Sequence, residues 1–319
     1  MRAIPLLTLL LGGWFVVPAH ADEAQDWLTR LGQAEQQQSF HGTFVYERNG
    51  SFSTHNIWHR VQDGKVRERL LQLDGSAQEV VRIDGHTQCV SGTLIAGLGD
   101  SPNSAARALD PQKLKNWYDL AVIGKSRVAG RAAVIVSLTP RDQHRYGFEL
   151  HLDKETGLPL KSLLLNDKGQ LLERFQFTQL DTAEVPSDSD LQAGPDCKAL
   201  TVNTDKATAI KTAEAWHSDW LPPGFELSSS SSRKDPETKT QVSSLMYDDG
   251  LARFSVFLEP LNGATVTDTR TQLGPTVAVS RRLTTPQGEM MVTVVGEIPI
   301  GTAERIALSM RTNAATAKQ

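Results

Sequence analysis

The chain contains few groups of side chains whose spacing could support catalysis. The Gly-x-Ser-x-Gly nucleophile motif, the phosphate-binding P-loop, the zincin His-Glu pattern, Cys-x-x-Cys and the dinucleotide-binding glycine fingerprint are all absent. His55 and His59 are four residues apart, which in a β-strand puts them on one face but about 13 Å apart. That separation is too long for a shared metal ion. The sequence therefore predicts a protein without enzymatic activity, cofactor or metal site.

A strip of basic side chains is the first feature that suggests binding. Lys65, Arg67 and Arg69 alternate along one predicted strand, with Arg48 and Arg60 on the strand beside it. Alternation puts such residues on one face of a sheet. The strip either keeps that face solvated and protects a sheet edge, or it binds phosphate-bearing lipid head groups or an acidic peptide. Arg67 and Arg69 are the candidate head-group ligands.

Aromatic residues are concentrated in the same half of the chain. They either form an ordinary core or line a cavity for an acyl chain, because a half-barrel with few covering helices leaves its concave face unfilled. The candidate lipid-lining residues are Phe44, Tyr46, Trp58, Phe148, Phe175 and Phe177.

Turn residues predict the sheet that positions these side chains. Asn-Gly and Asp-Gly pairs favour tight hairpins, since both central positions require positive φ. Such pairs separate short apolar runs between residues 40 and 82, and similar turns recur as far as residue 169. The first half is therefore predicted to be one large, curling antiparallel sheet. The hairpin pairs are Asn49-Gly50, Asp63-Gly64 and Asp74-Gly75.

The remaining elements divide the chain into two domains. Helices are predicted over 22–38 and from Asp110 to Tyr118, covering part of a first domain at 22–180. Residues 181–205 are rich in Pro, Ser, Gly and Asp and indicate a linker.

The second domain, 206–319, is predicted to be smaller and of α+β class. It should open with a helix over 206–219, followed by a strand after Phe225 and a serine-rich solvated loop at 228–239. Four more strands and a helix from about Thr302 should complete it.

The N-terminus predicts export. A charged start, an apolar run from Ala3 to Val17 and an Ala-x-Ala site ending at Ala21 are typical of a secretory signal peptide. We expect residues 1–21 to be removed by cleavage after Ala21. Loss of Arg2 makes the formal net charge of −4 more negative by one, and this acidity argues against nucleic-acid binding.

The sequence has two cysteines, Cys89 and Cys197. In an oxidising compartment they can form a disulfide that ties the linker to the first sheet, or they can stay as separate thiols.

Several motifs, taken in order, resemble the MucB/RseB family of periplasmic sigma factor regulators. The similarity spans the mature chain and is nearest to the members that regulate an alginate sigma factor. The motifs are the opening helix from Trp27 to Leu31, Ser39-Phe40-x-Gly42-Thr43-Phe44-Val45-Tyr46, Trp220-Leu-Pro-Pro-Gly-Phe225, Asp249-Gly250-Leu251-Ala252-x-Phe254-Ser255-Val256-Phe257 and Val294-Val295-Gly296-Glu297-Ile298-Pro299.

The resemblance implies a fold and a function. The fold would be an unclosed antiparallel β-barrel, similar to the lipoprotein carriers LolA and LolB, followed by a smaller α+β domain. The function would be negative regulation of an envelope-stress sigma factor. The protein would bind the periplasmic part of a membrane anti-sigma factor (MucA or RseA), shield it from regulated proteolysis, and leave it on binding lipid or lipopolysaccharide.

For the surface that binds the anti-sigma factor we predict the second domain. The candidate residues are Trp220, Phe225, Phe254, Arg281 and Arg282. Two rival functions stay open, a LolA-type lipid or lipoprotein carrier and a cell-wall or glycan enzyme, and so does assembly into a homo-oligomer.

Overall fold

The computed structural model describes residues 19–75, 78–91, 109–199, 216–234, 240–286 and 288–313. The first part contains α1 (Ala19–Gln37), β1 (Phe40–Arg48), β2 (Ser51–Gln62), β3 (Lys65–Gln72), β4 (Glu79–Ile83), β5 (His86–Ser91), α2 (Pro111–Leu114), β6 (Tyr118–Val128), β7 (Arg131–Pro140), β8 (Gly147–Asp153), β9 (Pro159–Leu165), β10 (Leu171–Asp181) and β11 (Lys198–Ala199). The second contains β12 (Trp216–Ser218), β13 (Glu226–Lys234), β14 (Gln241–Asp248), β15 (Arg253–Pro260), β16 (Thr269–Leu273), β17 (Thr276–Thr285), β18 (Gly288–Gly296), α3 (Ile300–Ser309) and β19 (Met310–Thr312).

The first eleven strands form one antiparallel sheet in the order β11-β5-β4-β3-β2-β1-β10-β9-β8-β7-β6. The predicted hairpins are confirmed at Asn49-Gly50 and Asp63-Gly64, where all four residues have positive φ. The sheet curls enough for β6 and β10 to approach each other, although three strands lie between them. Its end strands, β6 and β11, do not pair, so the predicted unclosed antiparallel barrel is confirmed.

Helix α1 lies against the inner face of this sheet. Trp27, Leu28 and Leu31 pack with apolar residues of β6, β7 and β8, whereas Ala34 packs with residues of β1 and β10 such as Phe40. The helix begins at Ala19, so cleavage after Ala21 would remove only its first three residues. Residues 1–18 of the predicted signal peptide lie outside the described residues.

The second sheet has the order β13-β14-β15-β18-β17-β16. Helix α3 packs on one face, where Ala303, Ile306 and Ala307 join a core with Val256 and Val292. The predicted α+β character is therefore confirmed, and the short strands β12 and β19 pair with each other beside it.

Three local predictions are wrong, and one strand was not predicted. The helix starting at Asp110 ends at Leu114, because Tyr118 begins β6. Residues 216–218 form β12 and not a helix, while 206–215 lie outside the described residues. The serines after Ser228 form β13, paired with β14. Strand β16 was not predicted, because all five of its residues are exposed and its sequence does not alternate.

The first part of the predicted linker lies against the first sheet. Asp181 ends β10, and Lys198 and Ala199 pair with β5. Cys197 and Cys89 form a disulfide, with Cα atoms 5.4 Å apart. The segment therefore follows the surface of the first sheet.

Candidate functional site

Four of the six candidate lipid-lining aromatics gather on the inner face of the first sheet. Phe44 faces Phe177 and Tyr46 faces Phe175 across β1 and β10. The ring centres of Phe44 and Phe175 are 4.6 Å apart. Phe44 and Phe177 are nearly fully buried, so in this conformation they form a packed core and no open acyl-chain channel.

The two histidines lie on the same inner face. His55 stacks on Phe44 at 5.0 Å, and His59 stacks on Phe40 at 4.7 Å. Burial lowers the pKa of His55, which favours its neutral form. No cluster of residues able to hold a metal ion occurs within the described residues.

The other two aromatics lie elsewhere. Phe148 packs with the cluster under the N-terminal half of α1. Trp58 is opposite Arg69 across β2 and β3, on the outer face, and the guanidinium of Arg69 lies 5.1 Å from its ring centre. The prediction that Trp58 shares a cavity wall with Phe44 is therefore wrong.

The predicted basic strip exists only in part, and it is not a free surface. Arg48 ends β1 on the same face as Tyr46 and contacts the second domain, so its assignment to the strip is wrong. Arg60 and Arg67 both form ion pairs with Asp188, at 2.6 Å and 3.3 Å. Arg69 pairs with Glu79 and donates to the backbone carbonyl of Asp190. The prediction of an open head-group site at Arg67 and Arg69 is corrected, because the segment after β10 covers it.

The candidate partner-binding residues separate into core and surface. Phe225 is 5% exposed and Phe254 1% exposed, and their rings pack 5.1 Å apart. Side chains this deeply buried present no surface to a partner, so the prediction for these two residues is wrong.

The remaining three candidates are accessible. Trp220 packs partly against the second core, with the guanidinium of Arg305 3.9 Å from its ring centre. Arg281 forms ion pairs with Asp268 and with Glu304. The side chain of Arg282 is half exposed.

Sequence reasoning missed the contact that we name the buried joint, formed by Arg145 and Asp249 where the domains meet. Both side chains are fully buried, and Nη1 of Arg145 lies 2.6 Å from Oδ2 of Asp249. The Tyr118 hydroxyl donates to the same oxygen, and the backbone N–H groups of Leu251 and Ala252 donate to Oδ1. Burial raises the pKa of Asp249, and these donors oppose that shift.

Further contacts enclose Arg145. It donates to the carboxylate of Asp142 and to the carbonyl of Pro223, and it lies 5.0 Å from the ring centre of Phe225 and 5.7 Å from that of Trp117. Gly224 has a φ of 86°, and a Cβ there would overlap the Trp117 ring. The family motif around Asp249 pointed to this place, whereas nothing in the sequence singled out Arg145.

A second contact between the domains, which we name the open clasp, centres on Arg48. This residue donates to the Thr276 hydroxyl and lies 3.3 Å from Glu297, whose side chain is 45% exposed. Its Nε is 3.9 Å from Glu173, which accepts a hydrogen bond from the Tyr46 hydroxyl. Burial raises the pKa of Glu173, and the hydrogen bond and Arg48 oppose that shift.

A cavity of about 360 Å³ opens beside the clasp. Its walls come from the β1–β2 hairpin and the start of β10 on one side, and from the β16–β17 hairpin of the second domain on the other. The lining residues are Glu47, Asn49, Gly50, Leu171, Leu172, Gln272 and Gly274. The two domains are thus separated by a gap here, in contrast to the fully buried contact around Arg145.

Within the described residues, no helix is long and apolar enough to cross a membrane.

Comparison with known proteins identifies the family. Residues 23–195 match the MucB/RseB N-terminal domain, and residues 210–311 match the MucB/RseB C-terminal domain. The chain is 63% identical to the Sigma factor AlgU regulatory protein MucB of Pseudomonas aeruginosa over all of both chains. It is 27% identical to the Sigma-E factor regulatory protein RseB of Haemophilus influenzae, over 98% of this chain and 99% of that one.

A solved structure agrees with these matches. The crystal structure of MucB in complex with MucA(peri) is 63% identical, covers 92% of this chain and 100% of its own, and superposes with a TM-score of 0.79. The chain belongs to the MucB/RseB family.

Proposed function

We propose that this chain is a periplasmic negative regulator of an envelope-stress or alginate sigma factor. It acts by binding the periplasmic part of a membrane anti-sigma factor and shielding it from regulated proteolysis, without catalysing a reaction itself. The single observation that carries this proposal is the close structural and sequence similarity to MucB in its complex with MucA(peri). Removal of residues 1–21 after Ala21 on export is part of the proposal.

The partner surface that we propose is on the second domain and includes Trp220, Arg281 and Arg282. Arg281 and Arg282 are consecutive on β17, so their side chains lie on opposite faces of the sheet. Arg281 pairs with Asp268 and with Glu304 of α3, whereas the half-exposed Arg282 pairs with Glu289. Exposed arginines and a partly exposed tryptophan are common anchors in protein interfaces.

The test is a binding measurement with the purified periplasmic part of a MucA-like protein. Changing both Arg281 and Arg282 to Ala should weaken binding roughly tenfold or more. The fold should persist, because surface ion pairs contribute only about 0–1 kcal/mol each. Arg127→Ala, at an exposed arginine of the first domain, is the matched control. Unchanged affinity in the double variant would place the partner surface elsewhere, and no binding by the parent protein would refute the function.

We also propose that lipid or lipopolysaccharide releases the partner by inserting an acyl chain among Phe44, Tyr46, Phe175 and Phe177. The rings are closely packed, so entry of a chain requires them to separate and the sheet to widen. A tenfold shift in partner affinity needs about 1.4 kcal/mol of differential binding. Burial of two or three CH₂ groups at about 0.8 kcal/mol each supplies this energy.

A competition assay tests the release step. Lipid A-type lipids should reduce the affinity for the anti-sigma segment, and Phe177→Ala should change the lipid concentration that is needed. If lipid leaves partner affinity unchanged, the release mechanism fails while the binding function stands. Recovery of a lipoprotein instead of an anti-sigma factor in a pull-down would support the LolA-type carrier.

A further inference from the structure

The segment between the domains covers the basic strip on the outer face of the first sheet. We name residues 182–199 the strap. Its Asp188 meets Arg60 and Arg67, which are directly opposite each other across β2 and β3. Like charges in that arrangement repel, so the two guanidinium groups depend on a shared counter-ion. Here a single carboxylate serves both.

Asp188 is far more exposed than the arginine side chains that it pairs with. The side chain of Arg60 is 11% exposed, whereas that of Asp188 is 82% exposed. Within the described part of the chain, the buried Nε of Arg60 has no hydrogen-bond acceptor. Two guanidinium groups with a spare donor have the charge and geometry to hold an anion with more oxygens than a carboxylate. Asp188 therefore occupies the place of a ligand.

Several contacts besides Asp188 hold the strap in position. The carbonyls of Pro186 and Asp190 accept hydrogen bonds from Arg60 and Arg69, and Lys198 and Ala199 pair with β5. Leu191 is 1% exposed and is the apolar anchor. The backbone N–H of Gly194 donates to Glu79 at 2.9 Å. The disulfide between Cys197 and Cys89 then fixes the strap to β5. The carboxylate of Asp188 is open to solvent although Arg60 is largely buried, so water can compete for this ion pair. The disulfide is the covalent restraint on the strap.

We propose that Arg60 and Arg67 form a phosphate-binding site that the strap covers with Asp188 as an internal substitute ligand, and that the Cys89–Cys197 disulfide controls access to it. The ligand class is a phosphate group, either on a lipid head group or free in solution. Charge-assisted bonds from two guanidinium groups suit phosphate.

Release of the strap from the first sheet requires a thiol reductant. A dithiol attacks the Cys89–Cys197 bond, which breaks to leave two protein thiols that take up the dithiol's two protons. The reductant becomes a disulfide, so electrons and atoms balance. Without the covalent bond, the backbone pairing of Lys198 and Ala199 holds the strap end to β5. The strap then separates from the sheet more often, and Asp188 leaves Arg60 and Arg67 more often.

The experiment measures pyrophosphate binding by calorimetry on the full mature protein, oxidised and after dithiothreitol. Reduction should tighten binding roughly tenfold and increase hydrogen exchange at Gly194. Asp188→Asn, which keeps the disulfide, should tighten pyrophosphate binding without reductant. The double variant Cys89→Ser with Cys197→Ser should match the reduced protein. Asp196→Asn, which removes an equal charge from the same strap, is the matched control and should behave as the parent protein.

Two results would overturn the proposal. If Asp188→Asn and the reduced protein bind pyrophosphate no better than the oxidised parent, the site does not exist. If binding survives Arg60→Gln together with Arg67→Gln, the anion binds elsewhere and the proposal is also overturned.

Vesicles distinguish the two sources of phosphate. Flotation of the reduced protein with phosphatidylcholine vesicles that contain phosphatidic acid, but not with phosphatidylcholine alone, identifies a lipid head group. Calorimetric binding of pyrophosphate without flotation identifies a free phosphate compound. Neither outcome depends on the anti-sigma partner, so the proposed function can fail or stand separately.

Discussion

The two contacts between the domains use the same residue types in different surroundings. In the buried joint Arg145 and Asp249 are fully enclosed, and backbone, hydroxyl and carboxylate groups satisfy the pair. In the open clasp Arg48 meets a half-exposed Glu297 beside a cavity. Breaking a buried pair leaves an unpaired charge without water, whereas solvent can replace a partner at the clasp. The joint should therefore act as a fixed pivot and the clasp as the side that opens.

The largest loss of folding stability is expected for a substitution at the buried joint. Arg145→Ala should lower stability by about 3–5 kcal/mol, because it leaves the Asp249 carboxylate buried without its cation. Urea unfolding measures this loss. A loss below about 1 kcal/mol would mean that water reaches the site, and the distinction between joint and clasp would disappear.

Replacing the arginine of the open clasp by alanine should reduce folding stability far less. Arg48→Ala removes an ion pair with the half-exposed Glu297 and a 3.9 Å contact with the buried Glu173, so we expect a loss of about 1–2 kcal/mol. Small-angle scattering should instead show a wider separation of the domains, with the joint intact. If Arg48→Ala destabilises as much as Arg145→Ala, the clasp is a structural contact and not an opening edge.

The smallest expected effect is the pH dependence of folding stability that Glu173 contributes at the open clasp. Burial raises the pKa of Glu173 above its ordinary value near 4.5, so the folded state holds this proton more tightly than the unfolded state. The resulting stability is complete below about pH 4.5 and is lost as pH rises through the folded value. Glu173→Gln should remove this pH dependence, because an amide does not titrate. The amide oxygen still accepts the hydrogen bond from Tyr46. The check is to compare unfolding of both proteins from acid to neutral pH; parallel curves would contradict it.

Local signals predicted the first domain well. Asn-Gly and Asp-Gly pairs determine hairpins through backbone sterics that act within four residues, and alternation then assigns the faces. The same reasoning failed for β13 and β16. Their serines, threonines and charged residues resemble a loop, and they become strands only because β14 and β17 offer backbone partners.

The candidate sites were harder to predict than the strands. Alternation correctly put Phe44, Tyr46, Phe175 and Phe177 on one face, because register links them across β1 and β10. Trp58 was grouped with them on aromatic composition alone, and the structure puts it on the outer face. Phe225 and Phe254 belonged to a family motif, and a motif does not distinguish core positions from contact positions.

The sequence by itself determined the antiparallel sheets, the turns between most strands, the pair of cysteines and the family. These properties depend on neighbouring residues or on whole-chain similarity. Only the tertiary structure decided that the segment after β10 covers the basic strip, that Arg145 meets Asp249, and that Arg48 faces a gap. Arg145 and Asp249 are separated by 104 residues and Arg48 and Glu297 by 249, and no local preference specifies which distant charges meet when two sheets pack together.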